Sequence, residues 1–384
     1  RGDGAHIWDV DGTRYLDFMC AYGPNLFGYG NPEIDAAYVR QLGLGDTMTG
    51  PTALMVELAE TLTGMVRHAD WAIFCKNGTD ATTMALTTAR AHTRRKTVVR
   101  AKGAYHGAAP WCVPRPSGTI DTDRAHQILC DYNDVASLEA AVAEAGDDLA
   151  AIFAAPFKHD AFVDQAEPNP AYAKRARELC DETGALLVVD DVRAGFRLVR
   201  DCSWSRLGVQ PDLSTWGKCL ANGHPLSVML GSDKARKAAS SIYVTGSFWY
   251  QAATMAAALE TLRLIRESDY LERITALGER LREGLSQRAS AAGLGFRQTG
   301  PGTMPLFLFD DDPDLRKGFC WSSEMLSRGV YVHPWHNMFL CAAMTEADID
   351  GALDAAEASF GALKRQVRDL APVEKLAFLS AGAR

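Results

Sequence analysis

Between residues 71 and 235 short apolar runs alternate with longer segments whose apolar positions recur every three or four residues. The runs at 71–74, 97–100, 150–154, 185–190 and 226–231 predict strands. The segments at 79–92, 135–145 and 170–183 predict the helices between them. That order argues for an α/β domain built on a mainly parallel sheet covered on both faces. Upstream, residues 7–18 read as two short strands around the Asp11-Gly12 turn, and Leu54, Leu58, Leu62 and Met65 predict a helix over 51–66. After residue 250 the pattern changes to a long helical region over 252–292. A strand at 305–309, a helix at 315–328, a strand at 330–333 and a closing helix from Thr345 follow. The reading is a large domain over 46–250 and a smaller α+β domain over 251–384, with an N-terminal segment, 1–45, that joins the small domain.

Composition narrows the field. With 384 residues and 47% hydrophobic positions the chain can bury two packed lobes. Its 40 basic and 48 acidic residues give a net charge of −8, which offers no general attraction to phosphate backbones or anionic lipid. No uncharged run approaches the roughly 20 apolar residues of a bilayer span, and residues 1–4 lack a signal-peptide core. No nucleic acid and no membrane is therefore expected as a partner. Nine scattered cysteines without a C-x-x-C pair fit neither a disulfide scaffold nor a zinc ribbon, so the expectation is a cytoplasmic protein with no metal site.

Four features in the alternating region carry chemistry. Asn77-Gly78-Thr79-Asp80 follows a strand and opens a helix, where backbone N–H groups and the helix dipole can cradle a phosphate; an ordinary N-cap accounts for the same residues. Tyr105-His106-Gly107 places an aromatic residue after a strand, where it can lie on a planar ring or simply pack in a loop. The buried run 186–189 ends in the carboxylate pair Asp190-Asp191, for which a protonated pyridine nitrogen is a suitable cationic partner. Lys218, one of only 11 lysines, stands among Trp216, Gly217 and Leu220 on a short turn, where desolvation lowers an amine's pKa and makes it nucleophilic. Phosphate cradle, stacking ring, acid and amine together are what pyridoxal 5'-phosphate requires.

Here the chain resembles the fold-type I, class III aminotransferases and is similar to glutamate-1-semialdehyde aminomutase. The resemblance runs from Tyr15-Leu16-Asp17-Phe18 and Tyr22-Gly23-Pro24 through the four features, with Gly195-Phe196-Arg197, to Met255-Ala256-Ala257 and Thr345-Glu346-Ala347-Asp348-Ile349. It implies pyridoxal phosphate as cofactor, with Lys218 forming the Schiff base and carrying the proton. It also implies Asp190 at the ring nitrogen and Val192 and Tyr105 on the two ring faces, with His106 beside Tyr105. Gly78 and Thr79, with Asn77, are implied at the phosphate. A hydroxyl from a neighbouring subunit, aligned with Ser247, implies a homodimer with a shared active site. Relatives usually carry an extra N-terminal segment ahead of residue 1.

Several family positions differ. Asp80 and Asp191 replace glutamates, Asn77 replaces a serine, Ala155-Pro156 replaces Glu-Pro, and Ser247-Phe248-Trp249-Tyr250-Gln251 replaces a run of small residues. These changes turn the expected substrate from a semialdehyde to a polar, ring-shaped amine held by Tyr22, Asp80 and Trp249. The likeness is then to class III enzymes of aminoglycoside antibiotic pathways acting on the 6'-amine of gentamicin-type compounds. The alternative is an epimerase or aminomutase, which needs a second acid, with Cys20 and Cys219 as candidates. Arg193 and Arg197 are read either as carboxylate-recognising or as surface salt-bridge residues.

Overall fold

The computed structural model describes residues 1–373 apart from Pro116, Ala161 and Pro372. The chain opens with β1 (Gly2–Asp3), β2 (His6–Trp8) and β3 (Arg14–Asp17), the last two an antiparallel pair around the Asp-Gly turn. Next come α1 (Pro32–Leu42) and α2 (Ala53–Met65), then β4 (Trp71–Cys75), α3 (Gly78–Thr93), β5 (Thr97–Ala101), the short α4 (Asp121–Arg124) and β6 (Gln127–Cys130). The alternation continues with α5 (Val135–Ala145), β7 (Leu149–Ala154), α6 (Pro170–Thr183), β8 (Leu186–Asp190), β9 (Leu213–Trp216), β10 (Ser227–Gly231) and α7 (Asp233–Ala239). Two long helices, α8 (Ala252–Glu267) and α9 (Tyr270–Ala292), lead to β11 (Phe296–Thr299), β12 (Leu306–Phe309), α10 (Arg316–Ser327), β13 (Val330–Tyr331) and α11 (Glu346–Gln366).

Local chemistry sets many of these bounds. Asn169 caps α6 from its side chain, Pro170 occupies the first turn, and Gly184 ends the helix at φ +74°, a conformation that favours glycine. Thr345 and Asp348 exchange hydrogen bonds as a capping box at the head of α11. Ser268 and Asp269 separate α8 from α9, so the region at 252–292 is two helices rather than one.

The contacts group the chain into two units. One holds Arg1–Asn31, His159–Ala166 and the chain from Asp269 on; the other holds Pro32–Lys158 and Glu167–Ser268. These limits differ from 45 and 250, because α1 packs along α8 inside the second unit and draws both helices into it.

The second unit is built on a seven-stranded sheet of order β4-β10-β9-β8-β7-β5-β6. From β9 to β6 every neighbouring pair is parallel, whereas β10 is antiparallel to both β9 and β4. The carboxyl ends of β4, β5, β8 and β9 therefore share one edge of the sheet, where ligands of open α/β sheets bind. All five residues of β8 are buried, the sign of a strand covered on both faces. Ala81, Ala85 and Ala89, one turn apart on α3, have no exposed surface.

In the first unit β1, β2 and β3 form a sheet with β13, which pairs with β3 in parallel, and β11 and β12 form a separate hairpin. Phe296, Phe309, Trp321 and Phe360 pack as an aromatic core beside that hairpin. Among the described residues no helix is long and apolar enough to cross a membrane.

Candidate active site

Asp190 ends β8 with only 6% of its surface exposed. Its Oδ1 accepts the Thr215 hydroxyl at 2.8 Å and the Val192 amide at 3.2 Å. Its Oδ2 lies 2.8 Å from Nδ1 of the buried His106. A carboxylate only accepts, so Nδ1 carries the imidazole proton. Three converging donors are the compensation that a buried carboxylate requires. Thr215 reaches Asp190 because the two are register partners across β8 and β9. His106 arrives from the loop after β5, its ring parallel to Trp111 and edge-on to Phe153. Its Nε2 is buried without a hydrogen-bond partner among the described residues.

The neighbouring carboxylate has a different environment. Asp191 is fully buried, burial raises its pKa to about 6, and its Oδ2 accepts the Ser203 amide at 2.8 Å. The pair is thus divided, one member tied to the sheet edge and the other to the chain at Ser203.

Lys218 follows β9 rather than lying on a free-standing turn. Ser214, Thr215 and Trp216 are strand residues, and Lys218 opens a short 3-10 turn at φ +46°. The strand forms despite its polar residues because both hydroxyls are satisfied inside the protein. Gly217 before it is extended, and a Cβ there would lie 2.5 Å from Ser227 Oγ on β10. Burial lowers the pKa of the Lys218 amine to about 8; the charges of Arg193 and Arg197 push the same way, and Asp190 pushes back. Arg197 is itself completely buried, which rules out the surface salt bridge considered for it.

The head of α3 completes the corner. Asn77 and Asp80 form a capping box: Asn77 Oδ1 accepts the Asp80 amide at 3.0 Å, and Asp80 Oδ2 accepts the Asn77 amide at 3.2 Å. Asp80 Oδ2 also takes the Lys76 amide and the Asn77 side-chain amide. Thr79 Oγ1 accepts the Ala108 amide at 3.1 Å, and the Thr82 hydroxyl donates to the His106 carbonyl at 2.7 Å. These bonds sew α3 to the loop that carries Tyr105 and His106. Gly107 lies at φ +120°, and a Cβ on it would meet Thr79 Oγ1 at 2.6 Å. A Cβ on Gly78 would lie 2.7 Å from Val192. Gly78, Thr79, His106, Asp190, Val192 and Lys218 are therefore gathered at one corner of the sheet edge.

Tyr105, half exposed, borders the same corner beside His106. Other expected residues lie elsewhere. Ser247 is exposed on the connection between α7 and α8, and Trp249 packs against the core cluster beneath α3. Tyr22 belongs to the first unit, edge-on to His336, at the end of three successive left-handed residues, Cys20, Ala21 and Tyr22. The Cys20 thiol, 1% exposed, donates to the carbonyls of Asp17 and Phe339; Cys219 is buried next to Lys218. Thr215 was not singled out from sequence, although strand alternation places it on the opposite face from Ser214 and Trp216.

Residues 1–355 match the family Aminotransferase class-III. The chain is 57% identical to an aminopentol aminotransferase of Sphingopyxis macrogoltabida over 97% of this chain and 88% of that protein. It is 30% identical to glutamate-1-semialdehyde 2,1-aminomutase 2 of Brevibacillus brevis, over 95% and 90% of the two chains. The structure of the PLP internal aldimine form of the Sphingopyxis sp. MTA144 FumI protein superposes with a TM-score of 0.97 at 57% identity, over 98% of this chain and 91% of that one. The corner fits pyridoxal phosphate: a glycine at the head of α3 that lets Val192 pack close, a buried carboxylate ringed by donors, and a lysine whose pKa is already lowered. The chain belongs to the class-III aminotransferases, the fold-type I enzymes that work with pyridoxal phosphate.

Proposed function

We propose that this aminotransferase takes the primary amino group from a hydroxylated aliphatic amine and passes it to an oxo acid, with Lys218 as the residue that carries the chemistry. Bound pyridoxal phosphate supplies a carbonyl that accepts the amino group and a ring that takes up the electron pair of the breaking C–H bond. The chain's own residues do the rest. Lys218, neutral above about pH 8, holds the cofactor and moves the proton at the substrate carbon. Asp190, fixed by Thr215, His106 and the Val192 amide, holds the ring nitrogen in its protonated form. Val192 and Tyr105 take the two ring faces, and Asn77, Gly78 and Thr79 hold the phosphate at the head of α3. A second copy of the chain supplies the Ser247 hydroxyl. Tyr243 and Phe248, 90% and 60% exposed beside Ser247, support burial of that segment in a homodimer.

The substrate reading rests on one observation, the 57% identity with an aminopentol aminotransferase across 97% of this chain. An amino sugar shares the amine-and-hydroxyl chemistry, but two residues meant to hold it already have structural tasks: Asp80 caps α3 and Trp249 packs on the core. Transfer is favoured over epimerisation, because the matching family and the 57% identical relative are aminotransferases. Of the two candidate second acids, the Cys20 thiol is engaged inside the first unit and Cys219 stays buried next to Lys218. The test is alanine formation from pyruvate with purified holoenzyme, offered either an aminopentol or a gentamicin-type 6'-amine. The aminopentol should turn over with the larger kcat/KM. Preference for the amino sugar overturns the substrate reading, and loss of substrate configuration without alanine overturns transfer itself.

A further inference from the structure

His68 lies just before β4, 7% exposed, and takes no part in the chemistry above. Its Nε2 is 2.9 Å from the Ser214 hydroxyl, and the same Ser214 oxygen accepts the Trp216 indole N–H at 2.7 Å. Its other ring nitrogen, Nδ1, is buried without a hydrogen-bond partner among the described residues. Burial holds the imidazole pKa down at about 4, against the pull of Asp201, Asp212 and Asp70, so the ring is neutral in ordinary buffers.

The direction of the chain follows from counting donors. The indole N–H can only donate, so Ser214 accepts from Trp216. If Ser214 then donates to His68 Nε2, one group, the Nδ1 proton, goes unpaired. If His68 donates instead, both the serine proton and Nδ1 go unpaired. The first arrangement satisfies more groups, and it runs one way from Trp216 through Ser214 to His68.

Trp216 is the anchored end; it closes β9 and packs on the turn that follows β8. It stands two residues before Lys218. Its ring packs on Phe196 at 4.7 Å and closes over Gly195, where a Cβ would lie 2.6 Å from it. The indole therefore fixes where β9 delivers Lys218 and where the chain after Asp190 turns.

We propose that His68 is a positioning residue for Lys218, acting through Ser214 to lock the Trp216 indole between β9 and the turn at Gly195-Phe196. This rests on the reading of Lys218 given above. The closing experiment compares His68→Leu, His68→Gln and Ser214→Ala in the full-length holoenzyme, with Trp216→Phe to assign the indole resonance. His68→Leu should shift the Trp216 indole N–H resonance and speed its exchange with solvent. It should also lower kcat by about ten- to a hundredfold, the scale of a displacement near 1 Å, with KM for the amine little changed. His68→Gln keeps an acceptor at the same reach and should restore both readouts.

If His68→Leu does not fold, Ser214→Ala carries the test and should show the same two changes. An unaltered indole signal and kcat in a folded His68→Leu or Ser214→Ala protein overturns the proposal. Retained activity in Lys218→Ala would instead sink the reading of Lys218, and the indole measurement would still decide the His68–Trp216 link.

Discussion

Two lysines in the same unit have amines brought down to a pKa of about 8 by burial, and they differ in what surrounds them. Lys76, at the end of β4, donates from Nζ to the Pro225 carbonyl at 2.8 Å and to the Thr254 hydroxyl at 3.4 Å, with Asp46 favouring its charge. Lys218, at the end of β9, meets Arg193 and Arg197, which oppose its charge, with Asp190 on the neighbouring strand end. Desolvation alone makes an amine easier to deprotonate. A nucleophile also needs its charge disfavoured by its neighbours and its position fixed at the reacting edge. By that criterion Lys76 reads as a strut, and the proposed role at the cofactor falls to Lys218.

The largest effect that sharpens this contrast is removal of each amine. Lys218→Ala should lose activity by about four orders of magnitude or more and lose the visible band of the bound cofactor. Lys76→Met should keep both and lose only about 1–2 kcal/mol of stability, the worth of its two hydrogen bonds, read by denaturant melting. Next comes the anion. Asp190→Asn should cut kcat by about 10²–10³-fold while leaving the fold intact, because it removes the charge proposed to keep the cofactor's ring nitrogen protonated.

A smaller effect follows from one of its supports. Thr215→Val leaves Asp190 with two donors and should cost about tenfold in kcat, or about 1.4 kcal/mol.

The pH dependence treats the two lysines alike, and protection by the cofactor separates them. As pH rises through about 8, both amines lose their proton while ordinary lysines remain charged. An acylating reagent near pH 8.5 should therefore label Lys76 and Lys218 first in the cofactor-free protein, and added pyridoxal phosphate should protect Lys218 alone.

Much of this was legible along the chain, and the rest was hidden for identifiable reasons. The apolar runs behind β7 and β8 and the periodic helices α3, α5 and α6 were readable because burial on both faces of a sheet leaves a continuous signal. Strand β6 was not read, since Gln127 and a partly exposed edge give no such run. Strand β9 passed for a turn, because Ser214 and Thr215 read as polar until their partners His68 and Asp190, far off in sequence or on the next strand, are in place. The reversed direction of β10 left no mark in its own apolar residues, yet it aligns the carboxyl ends of β4, β5, β8 and β9. Asp190 and Lys218 stood out by residue type and spacing. His68 and the support of Asp190 by Thr215 are tertiary, and no local pattern announces them.

The most direct measurement is to reduce the holoenzyme in place with borohydride, digest it and map the cofactor-derived mass. The account predicts the label on the peptide carrying Lys218 and none on that carrying Lys76. A label on Lys76, or on any other of the remaining lysines with Lys218 unmodified, would contradict it.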